Sequence, residues 1–379
     1  MRRQTVKYIG FYDFPESISN RVSCLAATNK MDYVCSAIVR AGYNVHIISP
    51  SWMGSNTKVR YEKQKTVKAD ENSKVTFCPS WKTNYKIAMY IKIIFSLIWL
   101  FLYLFLKAKK NEKILVYHTP WLSLPIRTAK FFKKFKLILE VEEIYSDVSV
   151  IHPYFIHLEK SLLNSADSYI YSTELLRNRI NNIKPYLILY GVYKIQEVEA
   201  QPDTDGKIHL LYAGIIDSHK RGAFNAIEST KYLPAQYILH IIGFGDTEKL
   251  CKRIAALNLT NKCKIIYDGL KSDSDYLSYC QKCHIGLSTQ SMEGVYLQSS
   301  FPSKILSYLS MGLRVVSCYI DCVSESVIGD MVTYYYKDSP KSIADAIMSV
   351  DLNQPYDSIS RIRELDKQFI KEIGELLGG

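Results

Sequence analysis

Acidic side chains are nearly missing from residues 82–136 of this 379-residue sequence, a segment that holds one acid, Glu112, against twelve lysines and arginines. The formal net charge of the whole chain is +11. A concentration of positive charge favours anionic lipid headgroups or nucleic acid as partners. Because no nucleic-acid-binding motif accompanies it, we expect an anionic membrane surface as a partner and no nucleic acid.

We also expect that the first residues are not a secretory leader, since their charges are not followed by a continuous apolar core and a small-residue cleavage site. We therefore expect a cytosolic location. The nine cysteines are odd in number and scattered among apolar neighbours, which indicates buried thiols rather than a disulfide framework. Cys280, Cys283 and His284 have the spacing of a haem c attachment motif. They stand where a predicted helix runs into a predicted strand in a cytosolic chain, so we attribute the match to chance.

A chain of this length exceeds what one core usually organises, so two domains are expected. Near the start, a strand over residues 5–12, a helix over 31–40 and a strand over 45–48 follow one another. This order predicts a right-handed crossover and a parallel sheet. Ligands of such sheets bind beyond the carboxyl ends of the strands.

The loop predicted between the first strand and the first helix, residues 13–30, should face that ligand-binding edge. It carries Arg21, Asn29 and Lys30. We consider these polar side chains, Arg21 and Asn29 above all, as candidates for holding an acceptor molecule. The alternative is that each is an ordinary surface residue.

Residues 87–106 form an apolar run of twenty residues, long enough to cross a bilayer, with lysines at both ends. The run lies between two strands that must join the same sheet, and Lys92 interrupts it. We therefore predict a helix that packs one face on the sheet and dips the other into the membrane surface. The alternative is a fully buried core helix.

Two further strands of the first domain are predicted to end at polar residues, one at His118 and the other at Glu142 and Glu143. A histidine and a carboxylate pair at the strand ends of one sheet would face the same cleft. Groups held in this way can orient hydroxyls or transfer protons, so all three are candidate catalytic residues. The alternatives are that His118 bonds to a neighbouring loop and that a glutamate pairs with a local lysine.

Composition shifts after Gly191, where a polar, turn-rich stretch reads as an interdomain linker. The second α/β series that follows has strands ending at Gly214, Gly243 and Gly269. Lys220 and Arg221 stand at the entrance of the first helix of this series. Basic side chains at a helix N-terminus are suited to binding an anion.

The stretch FPSKILSYLSMG combines a buried helix that starts after Pro302 with a glycine stop and a following apolar strand. Free N–H groups near Ser303 and Lys304, together with the Lys304 ammonium, would form an anion site suited to a diphosphate. The alternative is an ordinary helix–strand unit in which Lys304 is merely solvated.

Taken together, two successive doubly wound domains, the glycine-ended strand before Lys220 and Arg221, and FPSKILSYLSMG resemble the GT-B glycosyltransferases. The resemblance is closest to glycosyltransferase family 4 of bacterial polysaccharide biosynthesis. It implies an α/β fold with two Rossmann-like domains facing a central cleft. Residues 1–192 would bind the acceptor, residues 205–350 would bind the nucleotide sugar, and a helix within 355–379 would cross back to the first domain.

The resemblance implies a nucleotide-sugar donor, most simply a UDP-sugar, a lipid-linked saccharide acceptor such as a capsule or O-antigen precursor, and neither a metal nor another cofactor. Lys220 or Arg221 would contact the donor phosphate, and Ser303 and Lys304 would hold the diphosphate. The loop 268–271, with Gly269 and Leu270, would form the base pocket. Lys304 would also act in catalysis by stabilising the leaving group.

Three departures from the family pattern affect these expectations. Ser299 and Ser307 stand where family members usually carry two glutamates, so Ser307 would offer one hydroxyl to the ribose instead of a carboxylate. Ile215 replaces an arginine, so the phosphate charge must come from other residues. Glu142 replaces a histidine, which weakens the expectation of a retaining mechanism because a carboxylate there could act as an acceptor base. A nucleotide-sugar epimerase of the same fold and a non-catalytic donor-binding scaffold protein remain alternatives.

Overall fold

The computed structural model describes residues 3–148, 150–181, 183–197, 200–219, 221–271, 273–292 and 300–378, with the backbone alone at 273 and 274. The chain divides into two compact units. Unit 1 comprises Met1–Tyr190 together with Lys367–Gly379, and unit 2 comprises Gly191–Asp366. Each unit has its own sheet covered by helices, which confirms the predicted α/β class.

Unit 1 is built on an eight-stranded sheet with the order β10-β9-β8-β7-β1-β2-β5-β4. All neighbours in it are parallel except β4 and β5, and a separate antiparallel pair joins β3 to β6. The strands are β1 (Thr5–Ile9), β2 (Asn44–Ser49), β3 (Tyr61–Glu62), β4 (Lys65–Lys68), β5 (Ser73–Phe77), β6 (Ser80–Trp81), β7 (Lys113–Tyr117), β8 (Lys136–Val141), β9 (Ser168–Tyr171) and β10 (Tyr186–Ile188).

The helices of unit 1 are α1 (Leu25–Arg40), α2 (Lys86–Lys107), α3 (Ser123–Lys133), α4 (Tyr145–Val148), α5 (Pro153–Ser165) and α6 (Glu174–Ile180). Helix α1 starts six residues earlier than predicted, so Asn29 and Lys30 lie in the helix and not in the preceding loop. Its N-cap, Cys24, makes no side-chain capping bond. The sequence therefore lacks the usual signal for this start.

Helix α2 buries one stripe of side chains and exposes another. Ile93, Leu100 and Leu104 pack into the unit 1 core. The ammonium of Lys92 is also buried, and it donates to the backbone carbonyls of Met53, at 2.7 Å, and Trp81, at 3.1 Å. By length and composition α2 could cross a membrane, but these two bonds attach its first half to the folded unit. The opposite face is exposed, which corrects the alternative of a fully buried core helix.

Unit 2 is built on a six-stranded, wholly parallel sheet with the order β13-β12-β11-β14-β15-β16. Its strands are β11 (Ile208–Ala213), β12 (Tyr237–Ile242), β13 (Lys264–Tyr267), β14 (Ile285–Ser288), β15 (Arg314–Cys318) and β16 (Val332–Tyr335). Helices cover both faces, so the central strands read as nearly continuous apolar runs. The helices are α7 (Gly222–Ser229), α8 (Thr247–Asn258), α9 (Asp273–Gln281), α10 (Ser303–Ser310), α11 (Asp321–Ser324), α12 (Pro340–Met348) and α13 (Ser358–Gly378).

Helix α13 is shared between the units, because its residues from Lys367 onward belong to unit 1. Phe369 and Ile373 are buried there, and the Phe369 ring stacks on Tyr33 with 5.9 Å between ring centroids. The ammonium of Lys113 on β7 donates to the Leu376 carbonyl at 2.7 Å. The end of the chain thus completes the core of the unit that its beginning forms.

Candidate functional site

Three glycine turns lie side by side at the carboxyl edge of the unit 2 sheet. Gly214, Gly243 and Gly269 follow β11, β12 and β13, and all have positive φ, at 141°, 141° and 70°. The Gly243 N–H donates to the Gly269 carbonyl at 2.9 Å. A Cβ on Gly243 would come within 1.9 Å of the Gly214 carbonyl oxygen, so glycine is required for this close approach.

The Lys304 side chain lies against the first of these turns. Its Nζ donates to the Ala213 carbonyl at 2.5 Å and stands 4.8 Å from the centroid of the Tyr212 ring. A Cβ on Gly214 would be only 1.8 Å from Nζ, so the missing side chain of Gly214 makes room for the ammonium. The structure therefore brings together the predicted donor-binding residues Gly214, Gly243, Gly269 and Lys304.

Tyr308, which the sequence analysis did not select, anchors the helix that carries Lys304. Its hydroxyl accepts a hydrogen bond from the Ala213 N–H at 2.9 Å, and its ring fills the space above Gly286, where a Cβ would lie 2.4 Å from it. Burial raises the pKa of Tyr308 well above its usual value, so the phenol stays neutral. A tyrosine four positions after the lysine, on the same helix face, is the signal that could have identified it.

The start of α10 adds positive potential beside Lys304. Ser303 is the first helical residue and is exposed, and the N-cap residue, Pro302, makes no side-chain capping bond. The helix dipole favours an anion at such a position. Ser307, one turn later, shares a hydrogen bond with Tyr276 of α9. Leu270 beside Gly269 is 71% exposed and gives this edge an apolar surface.

Arg221 also belongs to unit 2. It precedes α7 with φ of 57°, and its exposed side chain lines a groove with Ser218, Phe224 and Lys249. Its predicted contact with the donor phosphate stays a prediction. Lys220, the alternative phosphate contact, and Ser299 lie outside the described residues.

In unit 1, Glu142 pairs with Lys30 beyond the carboxyl end of β8. The Lys30 Nζ is 3.0 Å from Glu142 Oε1 and donates to the Leu189 carbonyl at 2.8 Å. Lys30 is buried, whereas the Glu142 side chain is 26% exposed. This ion pair therefore presents one carboxylate to solvent while its lysine is held by the fold.

His118 is enclosed by the fold. Its side chain is 1% exposed, its Nε2 is 3.4 Å from Glu159 Oε1, and the Glu143 backbone bonds to the imidazole. Burial lowers the pKa of His118 to about 3 and raises the pKa of Glu159 to about 7. His118 is therefore neutral near pH 7. Its bond to the backbone of Glu143 matches the alternative of a hydrogen bond to a neighbouring loop, and its catalytic role stays a prediction. Glu143 is half-buried beside it.

Arg21 also has an internal role. Its guanidinium donates to Glu62, to the Ser51 carbonyl at 2.5 Å and to the Cys78 carbonyl at 3.0 Å, and its side chain has no exposed surface. These bonds occupy the donors of the guanidinium fork. The structure therefore corrects the prediction that Arg21 binds an acceptor. Asn29 is exposed on α1.

Comparisons with known proteins find similar structures, whereas the comparisons of sequence find no match. No family model matches the chain, and no curated protein does. The fold resembles α,α-trehalose 6-phosphate synthase from Burkholderia multivorans, with 11% identity, a TM-score of 0.62 and coverage of 98% of this chain and 93% of that one. It also resembles Anabaena Alr3699/HepE in complex with UDP, with 12% identity, a TM-score of 0.62 and coverage of 99% of both chains.

A third similar structure is the lipopolysaccharide outer core galactosyltransferase WaaB, with 17% identity, a TM-score of 0.60 and coverage of 99% of this chain and 96% of that one. At such identities a structural likeness shows the fold, and function must be argued from the site. The assignment to glycosyltransferase family 4 stays a prediction. The chain has the fold of the GT-B glycosyltransferases, with two Rossmann-like domains.

Proposed function

We propose that this chain is a glycosyltransferase that transfers a sugar from a nucleoside-diphosphate sugar to a lipid-linked glycan precursor at the cytoplasmic surface of a membrane, as in bacterial polysaccharide synthesis. The observation that carries the proposal is the Lys304 ammonium held against Gly214 at the carboxyl edge of the unit 2 sheet. Ligands of doubly wound sheets bind at this edge. UDP is the simplest nucleotide, because the similar Anabaena protein was crystallised with it.

The proposed chemistry is electrostatic. As the glycosidic bond to the diphosphate breaks, negative charge grows on the leaving phosphate oxygen. The Lys304 ammonium and the N–H groups at the start of α10 would stabilise that charge more in the transition state than in the ground state, which is the condition for faster turnover. We propose that these groups supply the positive charge without a metal.

Glu142 is the group in unit 1 that we propose acts on the acceptor. Its carboxylate is partly exposed, and Lys30 fixes its position through the ion pair and the Leu189 carbonyl. The family resemblance implies that the sugar keeps its anomeric configuration, whereas a base that activates the acceptor hydroxyl for direct attack would invert it. The anomeric proton signal of the first product distinguishes the two.

The exposed face of α2 supports the membrane location. Ile87, Ile91, Ile94, Ile98 and Leu102 fall on one helical stripe, and each is about half exposed or more. Phe131 and Phe132 of α3 extend this surface, with the Phe132 ring 5.9 Å from that of Phe105. Lysines at 107, 109, 110, 133 and 134 belong to the same segment. Apolar side chains beside basic ones match the surface of an anionic bilayer.

Replacing Lys304 tests the donor site. Lys304→Ala should weaken UDP binding by roughly tenfold or more, since a charge-assisted bond to phosphate contributes about 1.5–3 kcal/mol. Calorimetric titration with UDP measures the affinity, and thermal unfolding without ligand checks that the fold is intact. Lys252→Ala, which removes an exposed lysine of α8 in the same unit, is the matched control. Equal UDP affinity in wild type and Lys304→Ala would contradict the proposed site.

A further inference from the structure

Three of the eight histidines stack across neighbouring strands of unit 2. His209 is on β11, His240 is on β12, and His284 immediately precedes β14. The His209 ring stacks on His240 with 5.1 Å between centroids and on His284 with 5.8 Å. His209 Nδ1 and His240 Nε2 are 2.9 Å apart, so a hydrogen bond joins these two rings.

Hydrogen bonds extend this stack in both directions. At one end, His209 Nε2 is 3.2 Å from the Asp205 carboxylate. At the other end, His240 Nδ1 is 2.8 Å from the Tyr279 hydroxyl and 3.5 Å from Asp268 Oδ2. Tyr279 also donates to Asp268. The chain of bonds therefore ends one residue before Gly269, at the turn 268–270.

The protonation states of the histidines decide which hydrogen bonds form along the stack. The pKa of Asp205 is lowered by hydrogen bonds from the Lys207 N–H and from His209, so its carboxylate stays ionised and accepts a hydrogen bond from His209 Nε2. His209 Nδ1 then accepts from His240 Nε2, which leaves His240 Nδ1 bare when His240 is neutral. The single Tyr279 proton then has two acceptors, His240 Nδ1 and Asp268 Oδ2. When His240 gains a second proton, Nδ1 becomes a donor and Tyr279 is free to donate to Asp268.

We infer that Asp268 is a positioning residue for the donor-binding turn 268–270. Protonation of His240 strengthens the hydrogen bond from Tyr279 to Asp268, so that Asp268 holds the turn more firmly. The inference rests on the proposed function for the identity of the ligand, and on the contacts within unit 2 for the coupling. In the protonated state Asp268 receives the Tyr279 hydroxyl and faces a cationic imidazole. In the neutral state it shares the Tyr279 proton with a ring nitrogen.

Charged groups around the stack set the pH at which this change occurs. Burial lowers the pKa of His240 below its usual 6.5, and the charge of His209 lowers it further. The hydrogen bond to Asp268 raises it. Asp203 lies 4.0 Å from His209 Nε2, and Lys271 Nζ lies 4.7 Å from the Tyr279 ring. Burial raises the pKa values of Cys280 and Cys283, which keeps both thiols neutral, and lowers the pKa of His284. The transition should therefore fall below pH 6.5.

Nuclear magnetic resonance of the ligand-free protein tests the coupling directly. In wild type, the ring proton of His240 and the amide signals of Gly269 and Leu270 should titrate with one midpoint. In Asp268→Asn the His240 midpoint should fall by about one pH unit, since an opposite charge at this distance shifts a pKa by about 1–3 units. In Tyr279→Phe the amides should no longer follow His240. The matched control Asp246→Asn, in another loop of unit 2, should behave as wild type.

Uridine stays uncharged between pH 5.5 and 7.5 and has no phosphate that titrates. It therefore tests whether protonation of His240 changes the affinity of the turn for a nucleoside. Wild type should bind uridine about fivefold more tightly at pH 5.5 than at pH 7.5, a modest coupling, and Tyr279→Phe should lose this difference. An unchanged His240 midpoint in Asp268→Asn, or amides that do not follow His240, overturns the inference. Co-titrating amides without uridine binding at either pH would support the coupling and count against the proposed uridine nucleotide.

Discussion

Glu140 is a carboxyl group in the interior of the unit 1 sheet. It lies on β8, is fully buried and accepts a hydrogen bond from the Tyr8 hydroxyl, while its Oε1 has no partner among the described residues. Burial and the nearby Glu142 charge raise its pKa, against the opposing effect of Lys30. A carboxyl group in this setting is more stable protonated than ionised.

This environment gives a pH-dependent stability whose sign can be worked out. The pKa of Glu140 is higher in the folded state than in the unfolded chain, so its favourable contribution is complete below pH 4.5 and is lost as the pH rises through the folded value. Glu140→Gln, which keeps an acceptor for Tyr8, should raise the free energy of unfolding at pH 8 by roughly 1–3 kcal/mol and change little at pH 4.5. Urea unfolding at the two pH values measures this.

The control for this substitution is Glu248→Gln, at an exposed glutamate of α8. It should leave the pH dependence of stability as in wild type. A Glu140→Gln variant that is less stable than wild type at pH 8 would contradict the raised pKa of this residue.

The sequence could place Glu140 in a strand and could not show its partners. Tyr8 is 132 positions away, and no local pattern links the two. The same holds for Arg21, whose partners Ser51, Glu62 and Cys78 lie 30 to 57 positions further along. Gly214 and Lys304 were predictable, because a glycine after a strand and a lysine at a helix start are local signals of a binding edge.

Helix α2 carries a prediction about membrane binding. Charging its exposed stripe with the double substitution Ile94→Glu and Ile98→Glu should weaken binding to vesicles of phosphatidylcholine and phosphatidylglycerol by at least about tenfold. The reason is that each buried isoleucine contributes about 1.5–3 kcal/mol of transfer free energy and the added carboxylates repel anionic lipid. Vesicle co-sedimentation measures the bound fraction.

Leu259→Glu is the matched control, because Leu259 is 87% exposed in unit 2. This variant should bind vesicles as wild type does, and added salt should weaken the binding of both by screening the basic segment. Equal vesicle binding by wild type and the α2 variant would refute the membrane-surface role of this helix.

Elements with strong local patterns were predictable to within a few residues. The apolar run 87–106 corresponds to helix α2, which spans Lys86–Lys107. The predicted strand KIHLLYAG contains β11. Helix α1 started earlier than expected because its first turns carry no cap and mix polar with small residues. Whether α2 would be buried or exposed depends on the shape of the sheet beneath it, which the periodicity of the helix does not encode.

Unit 1 depends on a helix that is distant in sequence from the rest of it. Phe369→Ala should lower the free energy of unfolding of unit 1 by about 3–5 kcal/mol, since the ring is buried and its removal leaves a cavity. All four tryptophans precede Glu142, so tryptophan fluorescence during urea unfolding reports on unit 1. Lys371→Ala, at an exposed position two residues away, should leave the transition unchanged. Equal midpoints for all three proteins would show that α13 does not stabilise unit 1.

The division of α13 between the two units also bears on biosynthesis. A ribosome makes the strands of unit 1 first, yet Phe369 and Ile373 are added only after residues 191–366 have been translated. Until then the nascent unit must leave apolar positions around Tyr33 uncovered. Domains usually fold in the order in which they are translated, and exposed apolar surface during that time promotes aggregation. In this chain the second unit can be finished before the first, which makes the early half the natural client of a chaperone at the ribosome.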